Sequence, residues 1–291
     1  MSFINLHCHS NFSLSDGLST PENLLLRAKE LKQNALSITE HGSLRSAYVF
    51  WRDAQKIGIK PILGIEAYCC DVHNNKLQGE KNKHLVLLCQ NEVGWQNLKN
   101  LNSIANKDGF YRNPRIDLDL LKQFNEGLFC LTACQGGAIG FEICVGDNEG
   151  EGLKGRGAEY ANYYFHKLNE IFPGRLFLEI QLLDMINQHR VNKLMLGLAD
   201  RYKLPLVITT DAHYLSPEET KAHDILIRSS RKMNYGEDLC YGTNEIWFKS
   251  ESDLINTYTK GPYQYLSESL LKSAINNTGR IADMIECYKP Y

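Results

Sequence analysis

Residues 3–17 read FINLHCHSNFSLSDG, and their interpretation decides the fold. An aliphatic run ends in His7-Cys8-His9, and alternation along a strand points both imidazoles to one face. Two imidazoles on one face suit zinc or manganese. Asp16 follows seven residues beyond His9 and offers a carboxylate in the same neighbourhood.

Working outward, six more short runs of strand character follow: ALSITEH, KPILGIEAY, HLVLLCQ, LFCLTAC, RLFLEIQ and PLVITTDAHY. The first of these ends in Glu40-His41, the second holds Glu66, and the third opens with His84. Cys134 ends the fourth, and the last ends in Asp211-Ala212-His213. Between the runs lie segments of helical period: LLLRAKELK, capped by Thr20 with Pro21 in its first turn, LRSAYVFWRDAQKIG, WQNLKNLNSIA, DLDLLKQF, AEYANYYFHKLNEIF and QHRVNKLMLGLADRY. This alternation predicts an α/β fold with a mainly parallel sheet, and seven units suit a barrel better than an open sheet. In such a barrel the C-terminal strand ends converge on one mouth, so donors scattered from residue 7 to residue 213 can meet there. His84 fits least well, because it opens its strand. His73, His166, His189 and His223 have no such placement and read as surface or core residues.

From about residue 216 the alternation gives way to a helix, an irregular section, a short strand (EIWFKS) and a helical tail. The expected organisation is one domain, residues 1–291, with a barrel to about 215 and a cap over about 216–291. Residues 146–157, GDNEGEGLKGRG, read as an exposed loop whose glycines lack the order that cradles phosphate.

Composition narrows the class without naming a function. Hydrophobic residues make up 43% and charged residues 23%, with a formal net charge of −2, so no basic signature marks a protein that coats nucleic acid. No apolar run is long enough for a membrane span, and residues 1–15 lack a secretory signal, so the expected compartment is the cytoplasm. The nine cysteines are odd in number and show no CxxC spacing, against both a disulfide framework and a zinc ribbon.

The blocks HCHSNFSLSDG, TEHG, GIEAY, HLVLL, PRID, LTAC, FLEIQ and TTDAHY, in this order, resemble the polymerase and histidinol phosphatase (PHP) domain, most closely the version in bacterial DNA polymerase III alpha subunits. The resemblance runs to NNTGRIADMIECY near the end of the chain. It implies a distorted seven-stranded (βα)7 barrel binding two to three divalent ions, with zinc, manganese and iron the candidates. Carried over residue by residue, His7, His9, Glu66 and Asp211 resemble a first metal site. Glu66 bridges to a second site with His84 and Cys134, while Asp16, His41 and His213 resemble a third. Every position holds a residue able to bind metal. Glu40 departs from the aspartate often found in the family, which leaves it open as a support for the ligands or a solvated loop residue.

Three such ions bring six positive charges against four from Asp16, Glu66, Asp211 and a Cys134 thiolate, a balance that attracts phosphate. The implied activity is metal-dependent phosphoester hydrolysis, with Glu66, Asp211 and His9 as catalytic residues and a single-stranded DNA 3′ end as substrate. Other replication proteins are the implied partners. No palm-like carboxylate motif follows, so polymerisation is not expected. Tyr111, Arg112 and Arg115 in FYRNPR are candidates for substrate contact, whereas Arg228, Arg231 and Lys232 read as a solvated helix face. The competing readings are a structural module stabilised by its metals and a histidinol-phosphatase-like enzyme.

Overall fold

The computed structural model describes residues 3–75, 82–144 and 155–290, so most of the loop read at 146–157 lies outside the described residues. The Thr20 hydroxyl accepts the Asn23 N–H at 3.2 Å and starts α1 (Pro21–Glu30). There follow β1 (Ala35–Ile38), α2 (Ala47–Ile57), β2 (Lys60–Cys69), β3 (Lys83–Cys89) and α3 (Glu92–Lys107). The chain continues through β4 (Arg115–Ile116), α4 (Leu118–Phe124), β5 (Leu128–Leu131) and α5 (Ala158–Ile171). Then come β6 (Leu176–Gln181), α6 (Ile186–Tyr202) and β7 (Leu206–Thr209). The six helical segments expected from the sequence are thus α1 to α6.

The strands form one curled sheet in the order β1-β2-β3-β5-β6-β7, with the two-residue β4 beside β2. β1, β2, β5, β6 and β7 are joined to their like-directed neighbours in parallel, but β3 runs antiparallel to both β2 and β5. The run FINLHC, expected as the first strand, forms no regular strand. It closes the barrel by irregular bonds instead: Ser37 N–H donates to the Asn5 carbonyl at 3.1 Å, Thr39 N–H to Cys8 at 2.9 Å, and Ala212 N–H to His7 at 3.1 Å. Residues 3–9 therefore lie between the extensions of β1 and β7.

Alternation along β3 sends Leu85 and Leu87 under the helices, and Val86 and Leu88 to the inner face beside Ile62, Phe129, Phe177 and Val207. Glu66 and His84 share that inner parity but lie at the opposite end from the apolar floor. Each fully buried aliphatic side chain there contributes roughly 1.5–3 kcal/mol, which supports the burial of polar groups above it.

After a 3-10 turn at Pro217–Glu219 come α7 (Thr220–Arg231), α8 (Glu251–Lys260) and α9 (Glu268–Met284). EIWFKS forms no regular strand; Ile246 accepts the His213 N–H and Tyr214 the Phe248 N–H, each at 2.9 Å, and the Lys249 carbonyl accepts from Asn5 and Gln33. α9 returns to the barrel floor, where Asn277 Nδ2 donates to the Leu206 carbonyl at 2.7 Å and Thr278 Oγ1 accepts the Ile4 N–H at 2.9 Å. No helix among the described residues is long and apolar enough to cross a membrane.

At the start of β3, the buried Lys83 turns away from the barrel interior into an ion cluster with buried Glu142 and exposed Asp71 and Arg156. Its Nζ lies 3.1 Å from Glu142, 3.2 Å from Asp71 and 2.7 Å from the Tyr164 hydroxyl, and Arg156 pairs with both acids. Two cations against two carboxylates neutralise the cluster, which pins the strand end that carries His84.

Candidate metal centre

Loop geometry delivers the first donors. Residues 10–17 fold back tightly: Ser13 N–H bonds to the Ser10 carbonyl at 2.9 Å, and Leu18 N–H to that of His213 at 2.9 Å. A Cβ added at Gly17 would lie 2.0 Å from the Ser10 oxygen, so only glycine fits there. The fold-back places Asp16 against His41 and His213. Three non-glycine residues with positive φ flank or supply donors: Ser15 (65°) before Asp16, Ala133 (61°) before Cys134, and Asp211 itself (49°). Such backbone strain persists where surrounding structure over-determines it, commonly at functional sites.

Four residues converge at the centre. His7 Nε2 is 3.3 Å from Glu66 Oε1 and 3.2 Å from Asp211 Oδ1, and His9 Nε2 is 3.3 Å from both Glu66 Oε2 and Asp211 Oδ1. Glu66 also meets His84 Nδ1 at 2.9 Å and His41 Nδ1 at 2.7 Å. His41 presents its other nitrogen to Asp16 Oδ2 at 3.0 Å, and His213 Nε2 lies 3.6 Å from Asp16 Oδ1. His84 reaches this mouth because β3 is reversed: the start of an antiparallel strand lies where its neighbours end. Its register partner is Tyr68, two residues beyond Glu66 on β2.

His41 Nε2 bonds to Asp16, but the atoms aimed at the centre of the cluster do not pair with one another. His7 Nε2, His9 Nε2, His41 Nδ1, His84 Nδ1, His213 Nε2, Asp211 Oδ1 and both Glu66 oxygens are buried with no hydrogen-bond partner. Orphaned buried polar atoms are costly, and a group of them aimed at common points fits cations between them. Three trios have donor atoms all within 4.8 Å of one another: His7, His9 and Asp211; His41, Glu66 and His84; and His9, His41 and His213.

Cys134 stands slightly apart. A Cβ on Gly136 would lie 3.6 Å from its Sγ and 3.5 Å from His84 Nδ1, so the thiol and His84 face the same small space. Burial, reinforced by the Asp211 and Glu66 charges, raises the Cys134 pKa well above the ordinary thiol value. A thiolate there requires a cation.

Charge polarises the whole cluster. Burial opposes ionisation of Glu66, but His84, His41 and His7 hold it well below the ordinary carboxyl range. Burial likewise opposes ionisation of Asp16, which His213, His223 and His41 hold well below its ordinary value. For His7, burial is outweighed by Asp211, Glu179 and Glu66, which raise its pKa well above the ordinary value. His213 goes the other way, down to about 4, because burial and the His9 and His41 imidazoles outweigh Asp16 and Asp211. A neutral His213 keeps the lone pair that a metal needs.

Supporting residues emerge that sequence reasoning missed or left open. Glu179 is fully buried on β6, with Oε1 2.9 Å from His7 Nδ1 and Oε2 accepting the Ala133 N–H at 2.9 Å. An acid in the middle of the apolar run RLFLEIQ was the available signal. Glu40 is buried, not solvated: it accepts the Ser10 N–H at 3.1 Å and the Ser13 hydroxyl at 2.5 Å. Ser13 Oγ in turn lies 3.0 Å from His9 Nδ1, so Glu40 supports the His9 ring through serine. Two cap residues also arrive: Tyr241 Oη donates to Asp16 at 2.9 Å, and His223 Nε2 lies 3.7 Å from Asp16 Oδ1. His223, expected to be a surface or core residue, is therefore a neighbour of the third donor set.

Among the substrate-contact candidates, Arg115 is corrected. It is 1% exposed and commits its guanidinium to the carbonyls of Gly109, His73 and Asn75, so it builds the loop and does not meet substrate. Tyr111 is half-buried and Arg112 exposed on that loop. Arg228, expected on a solvated face, is buried against Asp224 at 2.7 Å.

Glu179→Gln is expected to loosen the His7 ring without removing a metal-facing atom. Partners of this kind cost roughly 10–100-fold in metal affinity when lost. A chelator-competition titration checks this, and unchanged affinity would show that the Glu179 contact leaves the His7 ring orientation unaffected.

The chain matches the PHP domain family over residues 5–182. It is 34% identical to a DNA polymerase III subunit alpha of Borreliella burgdorferi, covering 99% of this chain and 24% of that protein. A subunit of the same name from Treponema pallidum is 35% identical, over 92% of this chain and 23% of its own length. The chain thus spans about a quarter of the length of these relatives. A solved structure described as a metal-dependent phosphoesterase from Bifidobacterium adolescentis superposes with a TM-score of 0.43 at 14% identity, covering 72% of this chain and 87% of that one.

Proposed function

Because the chain belongs to the PHP domain family, we propose that it is a metal-dependent phosphoesterase that shortens single-stranded DNA from its 3′ end. One observation carries the reading: imidazoles and carboxylates from both ends of the barrel sequence converge at one mouth, with the atoms they turn towards one another buried and without a hydrogen-bond partner. His7, His9, Glu66 and Asp211 would hold one divalent ion, Glu66 with His84 and Cys134 a second, and Asp16, His41 and His213 a third. Zinc, manganese and iron suit this mix of imidazole, carboxylate and thiol. When bound, such ions supply an activated water and neutralise charge developing on phosphoryl oxygens.

The protein's own groups orient that machinery. Glu179 accepts from His7 Nδ1 and so leaves Nε2 as the outward lone pair, while Ser13 does the same for His9. The Tyr241 hydroxyl and His223 steady Asp16 from the cap. That contact supports reading the chain as one domain, a barrel to about residue 215 with a cap over 216–291. In this reading Glu66, Asp211 and His9 act at the reacting centre, and Tyr111 and Arg112 are the candidates for substrate contact. The names of the relatives favour DNA as the substrate, other replication proteins as partners and the cytoplasm as the compartment.

Oligonucleotides labelled at either end test the activity. With manganese or zinc, the 3′ label is expected to be lost early while the 5′-labelled strand forms a ladder, with EDTA suppressing both. Asp211→Asn and His9→Ala are each expected to abolish the cleavage. Intact DNA beside rapid cleavage of histidinol phosphate would move the assignment to a small-molecule phosphatase. A metal-loaded protein inert towards both would identify a structural module.

A further inference from the structure

The donor cluster opens on two sides. His84, Cys134, Asp211 and His213 line a cavity of about 380 Å³. Asp16, His41 and Tyr68 line one end of a larger groove of about 780 Å³, which continues past Arg45 and the polar face of α3 to the loop at 110–114. We propose that this groove is the track for an unpaired nucleic-acid strand leading to the metal centre, with Arg45 and Arg112 on its phosphates and Phe110 under a base. The proposal rests on the phosphoesterase reading and names the substrate surface that the reading leaves open.

Charge in the groove has one sign apart from the cluster itself. Asp16 is its sole lining carboxylate among the described residues, and it is already engaged by His41 and Tyr241. Arg45 and Arg112 are both exposed, and among the described residues neither pairs with a carboxylate; Arg45 Nε bonds only to the Ser43 hydroxyl, at 3.0 Å. Two unneutralised guanidiniums beside a cationic centre suit a chain of phosphates, not a lone phosphoryl group.

Shape and backbone point the same way. Phe110 is 50% exposed at the groove wall, and stacking on such exposed aromatic faces is how unpaired bases are held without sequence preference. Asn102 and Asn106 on α3 add hydrogen-bonding groups along the floor. The volume lies within the roughly 300–1,000 Å³ of sites for small organic ligands, room for a short single-stranded segment. Arg112 is held at φ 65° on a tight loop closed by Tyr111 N–H to the Asn113 carbonyl at 3.1 Å. Of the remaining non-glycine residues at positive φ, Lys32, Lys203 and Lys232 follow helix ends, and Ser15, Ala133 and Asp211 belong to the metal centre. Arg112 alone spends that strain on the groove. The buried Arg115 beneath it fixes the loop through three backbone carbonyls, which presents Arg112 outward.

Binding is measured by fluorescence anisotropy with a short 5′-fluorescein phosphorothioate oligothymidylate, which resists hydrolysis, on the metal-loaded full chain. Arg45→Ala with Arg112→Ala is expected to weaken binding at least about tenfold and to flatten the plot of log affinity against log salt by about 0.7 per arginine. Phe110→Ala is expected to weaken binding about tenfold and Phe110→Trp to restore it. Circular dichroism and metal content report whether each variant is folded. Equal binding by wild type and the double arginine variant, or no binding by wild type, would overturn the groove. If the variants lose binding but the wild type never shortens DNA, the groove stands and the exonuclease reading falls. If the wild type shortens DNA and the variants bind and cut equally well, the reverse holds.

Discussion

Glu66→Gln is expected to abolish hydrolysis and to strip metal from the protein in one step. Glu66 is 1% exposed, and its two oxygens stand within 3.3 Å of His7, His9, His41 and His84. The amide keeps the volume but removes the one negative charge shared by four imidazoles, and it turns N–H donors towards nitrogens that must offer lone pairs. Loss should exceed the roughly 10–100-fold that outer supporting residues cost. Removing one partner of a buried charged set costs about 3–5 kcal/mol. At about 2–4 °C per kcal/mol, the melting temperature of the variant should fall by ~10 °C. Parallel measurement of metal content, melting and turnover checks this. Full turnover by the variant would remove Glu66 from the centre.

Chelation should produce an effect of similar size in the unmutated protein. Elemental analysis after gentle purification is expected to find between two and three divalent ions per chain. Each ion held at a free concentration near 100 times its dissociation constant contributes about 2.7 kcal/mol of stability, so removing two costs about 5 kcal/mol. Melting should then drop by roughly 10–20 °C in EDTA and recover on adding zinc or manganese. Binding should also release protons, because burial and the neighbouring carboxylates keep the Cys134 thiol protonated until a cation displaces the proton. Less than one equivalent of metal with an unchanged melting point would refute the metal centre.

By itself the sequence determined the succession of strands and helices and the residue types gathered at the strand ends. Hydrophobic period and capping are local properties, legible in Thr20-Pro21 and in the apolar runs, and six of those runs became the strands of the main sheet path. It also placed His7, His9, His41, Glu66 and Asp211 together, because strands in a barrel bring their ends to one mouth.

Strand direction was a matter for tertiary structure. A period of two looks the same in either sense, so nothing inside HLVLLCQ says that β3 runs backwards. The signal lay outside it, in the absence of a helical segment between KPILGIEAY and HLVLLCQ, since the crossover that joins parallel strands is usually a helix. That reversal is what admits His84. Closure by residues 3–9 was likewise invisible as irregular backbone, because a strand-like composition does not reveal whether a ladder partner lies in register. The buried supports Glu179 and Glu40, and the cap residues Tyr241 and His223, were decided by folding alone. Their roles depend on which atoms they touch across 30 to more than 200 residues of chain, and no local periodicity encodes such contacts. Arg112 and Arg115 make the same point at short range. Two arginines separated by two residues read alike, but burial beneath the loop made one a strut and left the other facing the groove.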